Sequence, residues 1–166
     1  MRKIILLIIS ILFTFFISAC NTREEDKMEL SKINNEKEKT QKEFTAFISK
    51  DGERLLELIY KLNSKEGYFY MDIDDSEISV DTNKGKEFEE ASEFVKSLSI
   101  IMKENNFDQL VQEESNKDII FFRTVRKSNI FAMHRLIYHK GELDPETQHD
   151  YKKIANDFYY SYSVGE

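Results

Sequence analysis

Between Ile119 and Lys140 the chain carries no acidic residue, yet it holds Arg123, Arg126, Lys127, Arg135, Lys140 and the histidines His134 and His139. Three of the six arginines lie in this stretch. Its net charge is +5, while the remainder of residues 44–166 sums to −13. Arginine presents a planar, permanently charged fork that matches a carboxylate or phosphate, so its concentration here points to anion chemistry. With Ser128-Asn129 as a two-residue turn, residue 125 pairs with 132, 123 with 134, and 121 with 136. One face of the hairpin then reads Ile119, Phe121, Arg123, Val125 and Ala132, His134, Leu136, Tyr138. That register sets Arg123 beside His134 in apolar surroundings, an arrangement suited to an anion pocket. Arg123, Arg126, His134, Arg135 and Tyr138 are the candidate ligand contacts. The same residues also suit a plainer arrangement, in which Arg123 pairs with a helix carboxylate and the hairpin balances its acidic neighbours.

Other chemistry finds less support. Asp72-Ile73-Asp74-Asp75-Ser76-Glu77 has the acidic start of a calcium loop, but Glu77 and Asn83 stand where that loop needs glycine and glutamate. A hairpin turn is expected there. Zinc catalysis wants histidines on one face, whereas His134 and His139 differ by an odd number and point to opposite faces of a strand; His149 is the third. No nucleophile elbow, phosphate loop or dinucleotide fingerprint occurs among five glycines. No metal and no cofactor are expected, and no spacing of carboxylates marks a catalytic pair, so the reading leans to a non-catalytic role. The Tyr and Phe runs at 68–70 and 158–162 suit a core with hydroxyls at its rim. A formal charge of −7 over 166 residues argues against nucleic acid as partner.

The single cysteine, Cys20, follows a leader of different character. Arg2 and Lys3 precede a nearly unbroken apolar run from Ile4 to Phe16, and Arg23, Glu24, Glu25 and Asp26 restore charge immediately beyond. The order of positive head, apolar body and small residues is that of an export signal. The run is shorter than the roughly 20 residues that span a bilayer core. The tetrad Ile17-Ser18-Ala19-Cys20 resembles the lipobox of bacterial lipoproteins. That resemblance implies cleavage before Cys20, diacylation of the cysteine, and anchoring at the extracytoplasmic face of the cell membrane. Two acyl chains suffice for stable anchoring. The expected organisation is a signal peptide over 1–19, a lipidated cysteine and charged tether over 20–43, and one domain over 44–166. The 147 residues from Cys20 onward carry net charge −9, and a domain of that sign is best held off an anionic surface by a spacer.

The elements that must position the basic hairpin follow from periodicity. Phe44, Phe47 and Ile48 open an amphipathic stripe, Asp51-Gly52 is expected to break it, and Leu55, Leu58, Ile59 and Leu62 resume it until Gly67. Strands are expected at 68–73 and 77–81, then a helix carrying Phe88, Ala91, Phe94, Val95, Leu98, Ile101 and Met102 on one face. Alternation from Phe107 onward gives strands near 108–113, 118–126, 130–139 and 156–164, with residues 141–153 as a connection. Helices and strands that do not alternate argue α+β, with N-terminal helices and one amphipathic helix packed on a mainly antiparallel sheet. The element order resembles the NTF2-like cone, which implies a curved sheet around a pocket.

The function expected is that of a membrane-anchored binding lipoprotein recognising an anionic envelope component or a protein. Two alternatives stand beside it. One is an NTF2-like pocket or enzyme using His134 and tyrosines; the other is a protein-interaction surface on the acidic side.

Overall fold

A computed structural model describes the backbone of residues 2–75, 77–114, 117–127, 130–143 and 150–165, and side chains from residue 31 onward apart from 33, 34, 127 and 130. The Cys20 side chain, the turn residues 115–116 and 128–129, and the segment 144–149 with Pro145 and His149 lie outside the described residues. The chain divides into two units, Met1–Lys39 and Thr40–Glu166. In the first, the described side chains are all polar, and Lys39 pairs with Glu36 across one turn at 3.4 Å. Among the described residues no helix is long and apolar enough to cross a membrane.

The helix α1 (Arg2–Asn63) runs into the second unit, where Phe44, Phe47, Leu55, Ile59 and Leu62 form its buried stripe. It passes through Asp51-Gly52 without a break, contrary to the sequence expectation. A helical glycine costs about 1 kcal/mol relative to alanine, whereas each buried Phe or Leu of the stripe contributes about 1.5–3 kcal/mol. Burial on both sides therefore outweighs the breaker, and the two expected N-terminal helices are one.

After α1 come β1 (Phe69–Asp74) and β2 (Glu77–Thr82), joined by a tight turn in which Asp75 takes a φ of 49°. A 3-10 turn at Lys86–Phe88 leads to α2 (Glu93–Glu104). The helix starts later than the apolar pattern suggests, because Ser92 is extended and its hydroxyl accepts from the Val95 N–H at 3.2 Å, a serine N-cap. At its far end Asn106 adopts a φ of 53°, and the Asn106 and Phe107 N–H groups donate to the carbonyls of Lys103 and Met102. This is a Schellman closure with asparagine in glycine's usual place. It delivers Phe107 into the core.

The remaining strands are β3 (Gln109–Gln112), β4 (Ile119–Lys127), β5 (Ile130–Tyr138), β6 (Tyr151–Ala155) and β7 (Phe158–Gly165). The seven described strands form one antiparallel sheet in the order β2-β1-β3-β4-β5-β7-β6. The fold is α+β. Strand β6 begins inside the segment 141–153 that the sequence suggests is a connection and runs two residues past it. Its Tyr-Lys-Lys-Ile-Ala run alternates poorly, and an irregularity between Lys153 and Ala155 disturbs its pairing with β7. Such bulges and lysines are usual on edge strands, where they discourage further pairing.

One sheet face meets the helices. Phe69, Met71, Leu110, Ile119, Phe121, Leu136, Tyr138, Phe158 and Tyr160 join the α1 and α2 stripes in a single apolar core. The alternate residues form the outer face, where Ile120, Phe122, Met133 and Arg135 are half-buried and Arg126 and Phe131 exposed.

Candidate functional site

The strands β4 and β5 pair with Phe121 opposite Leu136, Arg123 opposite His134 and Val125 opposite Ala132, the register inferred from the two-residue turn. Pairing fixes which face each candidate residue occupies. Arg123, His134 and Tyr138 point to the helices, and Arg126 and Arg135 point outward.

On the inner face, Arg123 is 11% exposed and its Nη1 donates to the Glu43 carboxylate of α1 at 2.5 Å. Its Nη2 donates to the Asn105 carbonyl at the C-terminal cap of α2. The guanidinium lies over the Phe44 and Phe107 rings, 4.8 and 5.9 Å from their centroids, which adds cation–π attraction in a desolvated setting. Arg123 thus ties both helices to the sheet. His134 is fully buried; its Nδ1 shares a hydrogen bond with the Tyr160 hydroxyl at 2.9 Å, and the Tyr162 ring lies 5.1 Å away. Burial pushes the Tyr160 hydroxyl well above the usual phenol range, with Tyr162 adding to the shift and Arg123 opposing it. Tyr138 packs on Phe158 at 5.5 Å and beside Tyr60 at 6.5 Å. Burial, assisted by Tyr60 and Asp157, pushes its hydroxyl up to about 12. Rings therefore fill the space around Arg123 and His134.

The outer face has a different character. Arg135 Nη1 donates to Ser161 Oγ at 3.2 Å, and Nη2 donates to Ser163 Oγ at 3.0 Å and to the Met133 sulfur at 3.3 Å. Its guanidinium lies 5.9 Å from the Phe122 ring centroid. All these partners are neutral. Because arginine can only donate, each serine oxygen accepts from it, and each serine O–H is left to donate elsewhere. A half-buried guanidinium with two hydroxyl donors at its flanks is the donor set of an oxyanion site. Tyr151, opposite Ser161 in the β6–β7 register, borders the same row. Arg126, an exposed cation, lies four residues beyond Phe122 on this face, roughly 13 Å along the strand.

Comparison with protein-family models, with curated proteins and with solved structures finds no match to this chain.

Among the five candidates, register brings Arg123 and His134 together on the inner face and sets Arg135 apart from them on the outer. Ser161, Ser163 and Tyr151 were not legible as site residues. The alternation Ser161-x-Ser163 places two hydroxyls on one face of the terminal strand, but only the pairing of β7 with β5 brings them to Arg135.

Proposed function

We propose that the chain is a lipid-anchored, non-catalytic recognition domain of a bacterial membrane's extracytoplasmic face, taking an oxyanion on its outer sheet face at Arg135. The anchoring part rests on the Arg2-Lys3 head, the apolar run and the Ile17-Ser18-Ala19-Cys20 tetrad. The recognition part is carried by one observation: Arg135 is half-buried, and among the described residues its guanidinium has only serine hydroxyls and a thioether as polar partners. A partly desolvated cation without a carboxylate gains more from an incoming anion than one already paired. Arg123, held by Glu43, has no such gain to offer.

Two measurements test the two parts. Cys20→Ser is expected to move the protein out of the membrane fraction or leave its precursor uncut; continued acylation of that variant overturns the anchor. Binding of a labelled hexaglutamate peptide to the detergent-solubilised full chain, followed by fluorescence anisotropy, is expected to exceed that of hexaglutamine. Arg135→Ala should weaken it by roughly tenfold or more, since a hydrogen bond to a charged group contributes about 1.5–3 kcal/mol. Inorganic pyrophosphate as competitor separates a phosphate preference from a carboxylate one. Equal binding of the two peptides, or an unaffected Arg135→Ala variant, contradicts the reading.

A further inference from the structure

At the opposite end of the sheet, the turn after α1, the loop after β2 and the end of β3 line an open cavity of about 350 Å³. Every residue lining it is polar or glycine, and Asn63, Lys65, Lys84, Gln112, Glu114 and Lys117 form most of its wall. Two of these groups are buried with their bonding capacity unfilled.

Lys84 is only 6% exposed. Its ammonium donates to the Lys65 carbonyl at 2.6 Å, and no carboxylate pairs with it among the described residues. Burial, with no compensating charge, pushes its pKa down. Gln112 is 2% exposed, and its orientation follows from a short directional chain. The Lys117 carbonyl can only accept, so the Asn63 amide nitrogen donates to it, at 3.2 Å. Asn63 Oδ1 must then face Gln112, whose Nε2 donates to it at 2.5 Å. That leaves Gln112 Oε1 buried without a hydrogen-bond donor among the described residues.

A buried ammonium calls for an anion, and a buried carbonyl oxygen calls for an N–H or O–H. Water satisfies the second need but leaves the lysine's charge uncompensated. The wall is mainly polar, which favours a hydrophilic ligand over an aromatic body, and the volume lies at the small end of ligand cavities. We infer that this cavity binds a polyhydroxylated anion of monosaccharide size, a sugar acid or sugar phosphate, with Lys84 holding the anionic group and Gln112 Oε1 accepting a ligand hydroxyl. The site is separate from Arg135 and does not depend on it.

Calorimetric titration of the detergent-solubilised full chain with D-glucuronate, glucose 6-phosphate and D-glucose tests this. At least one of the two anions should bind roughly tenfold or more tighter than glucose, the one that does so identifying carboxylate or phosphate. In the Arg135→Ala background, which removes the outer-face oxyanion site, that preference should persist, Lys84→Met should then abolish it, and Gln112→Leu should weaken the anion by about tenfold. Reductive methylation of the unaltered protein, read by mass spectrometry, supplies a test independent of any variant's folding. The bound anion should slow modification of Lys84 but not of Lys50 or Lys103. The inference is overturned if neither anion outbinds glucose, if Lys84→Met keeps the preference, if Arg135→Ala removes it, or if Lys84 is not protected.

Discussion

Arg123 joins both helices to the sheet of the second unit, because one guanidinium meets a carboxylate of α1, a cap carbonyl of α2 and two aromatic rings. Removing its counter-ion leaves a desolvated charge. Breaking a fully buried pair costs about 3–5 kcal/mol, and an exposed one 0–1 kcal/mol. Glu43 is 42% exposed, so Glu43→Ala is expected to destabilise by about 1–2 kcal/mol. Urea denaturation measures this, and adding Arg123→Met should recover part of the loss. The tyrosines supply a second signature. Tyr138, Tyr160 and Tyr162 all have folded-state pKa values raised by burial. A raised pKa stabilises the fold below the unfolded value of about 10 and loses that contribution as pH rises through the folded value. The tyrosines' contribution to stability should therefore be level up to about pH 10 and fall between there and about 12, the Tyr138 value. Tyrosinate absorbance of the buried rings should rise together with unfolding; normal titration of all eight tyrosines in a folded protein contradicts it.

The glycines separate backbone requirements from packing. Gly52 sits inside α1, where an added Cβ would meet Ile48 Cγ2 at 3.4 Å, an ordinary contact. Gly52→Ala is expected to stabilise by up to about 1 kcal/mol. Gly67 has a φ of +118°, and an added Cβ would lie 2.0 Å from the Asn83 oxygen that accepts from the Tyr68 N–H. Gly67→Ala should cost about 2 kcal/mol or more, and thermal melts of the two variants should move in opposite directions. The same contrast explains what the sequence makes legible at this scale. The β4–β5 hairpin is readable to the residue because a two-residue turn and strict alternation leave one register that buries Phe121 and Leu136 together. Gly52 misleads because local propensity is weak beside the burial of Phe44, Leu55 and Ile59. The apolar pattern places the start of α2 too early because Phe88 continues it while Ser92 holds the cap. Strand β6 is invisible in the sequence because its stability comes from β7, and its own residues alternate poorly. The candidate site is half-legible: the arginines declare themselves by type, whereas Ser161 and Ser163 reach Arg135 only through long-range pairing. Lys84 and Gln112 carry no local signal at all, since their chemistry arises from burial.

Across the whole second unit, charge is sorted by strand. Asp72, Asp74, Glu77 and Asp81 occupy the outer face of β1 and β2, with Gln109 of β3 donating to Asp72 at 2.8 Å. Arg126, Arg135 and Lys153 occupy the outer side of β4, β5 and β6. Strands β1 and β5 are three spacings apart, roughly 14 Å, beyond the screening length of about 8 Å at physiological salt. The acidic end therefore subtracts little from the field at Arg135, even though the unit's net charge is negative. On the proposed function, the acidic unit recognises an oxyanion locally and against its overall charge. Amide and arginine Nε resonances of the isotopically labelled, detergent-solubilised full chain, followed during titration with hexaglutamate, test that claim most directly. Local recognition predicts shifts centred on Arg135, Ser161 and Ser163 that vanish near 0.5 M salt, where the screening length falls to roughly 4 Å. Shifts confined to other surfaces, or shifts at Arg135 indifferent to salt, would contradict it.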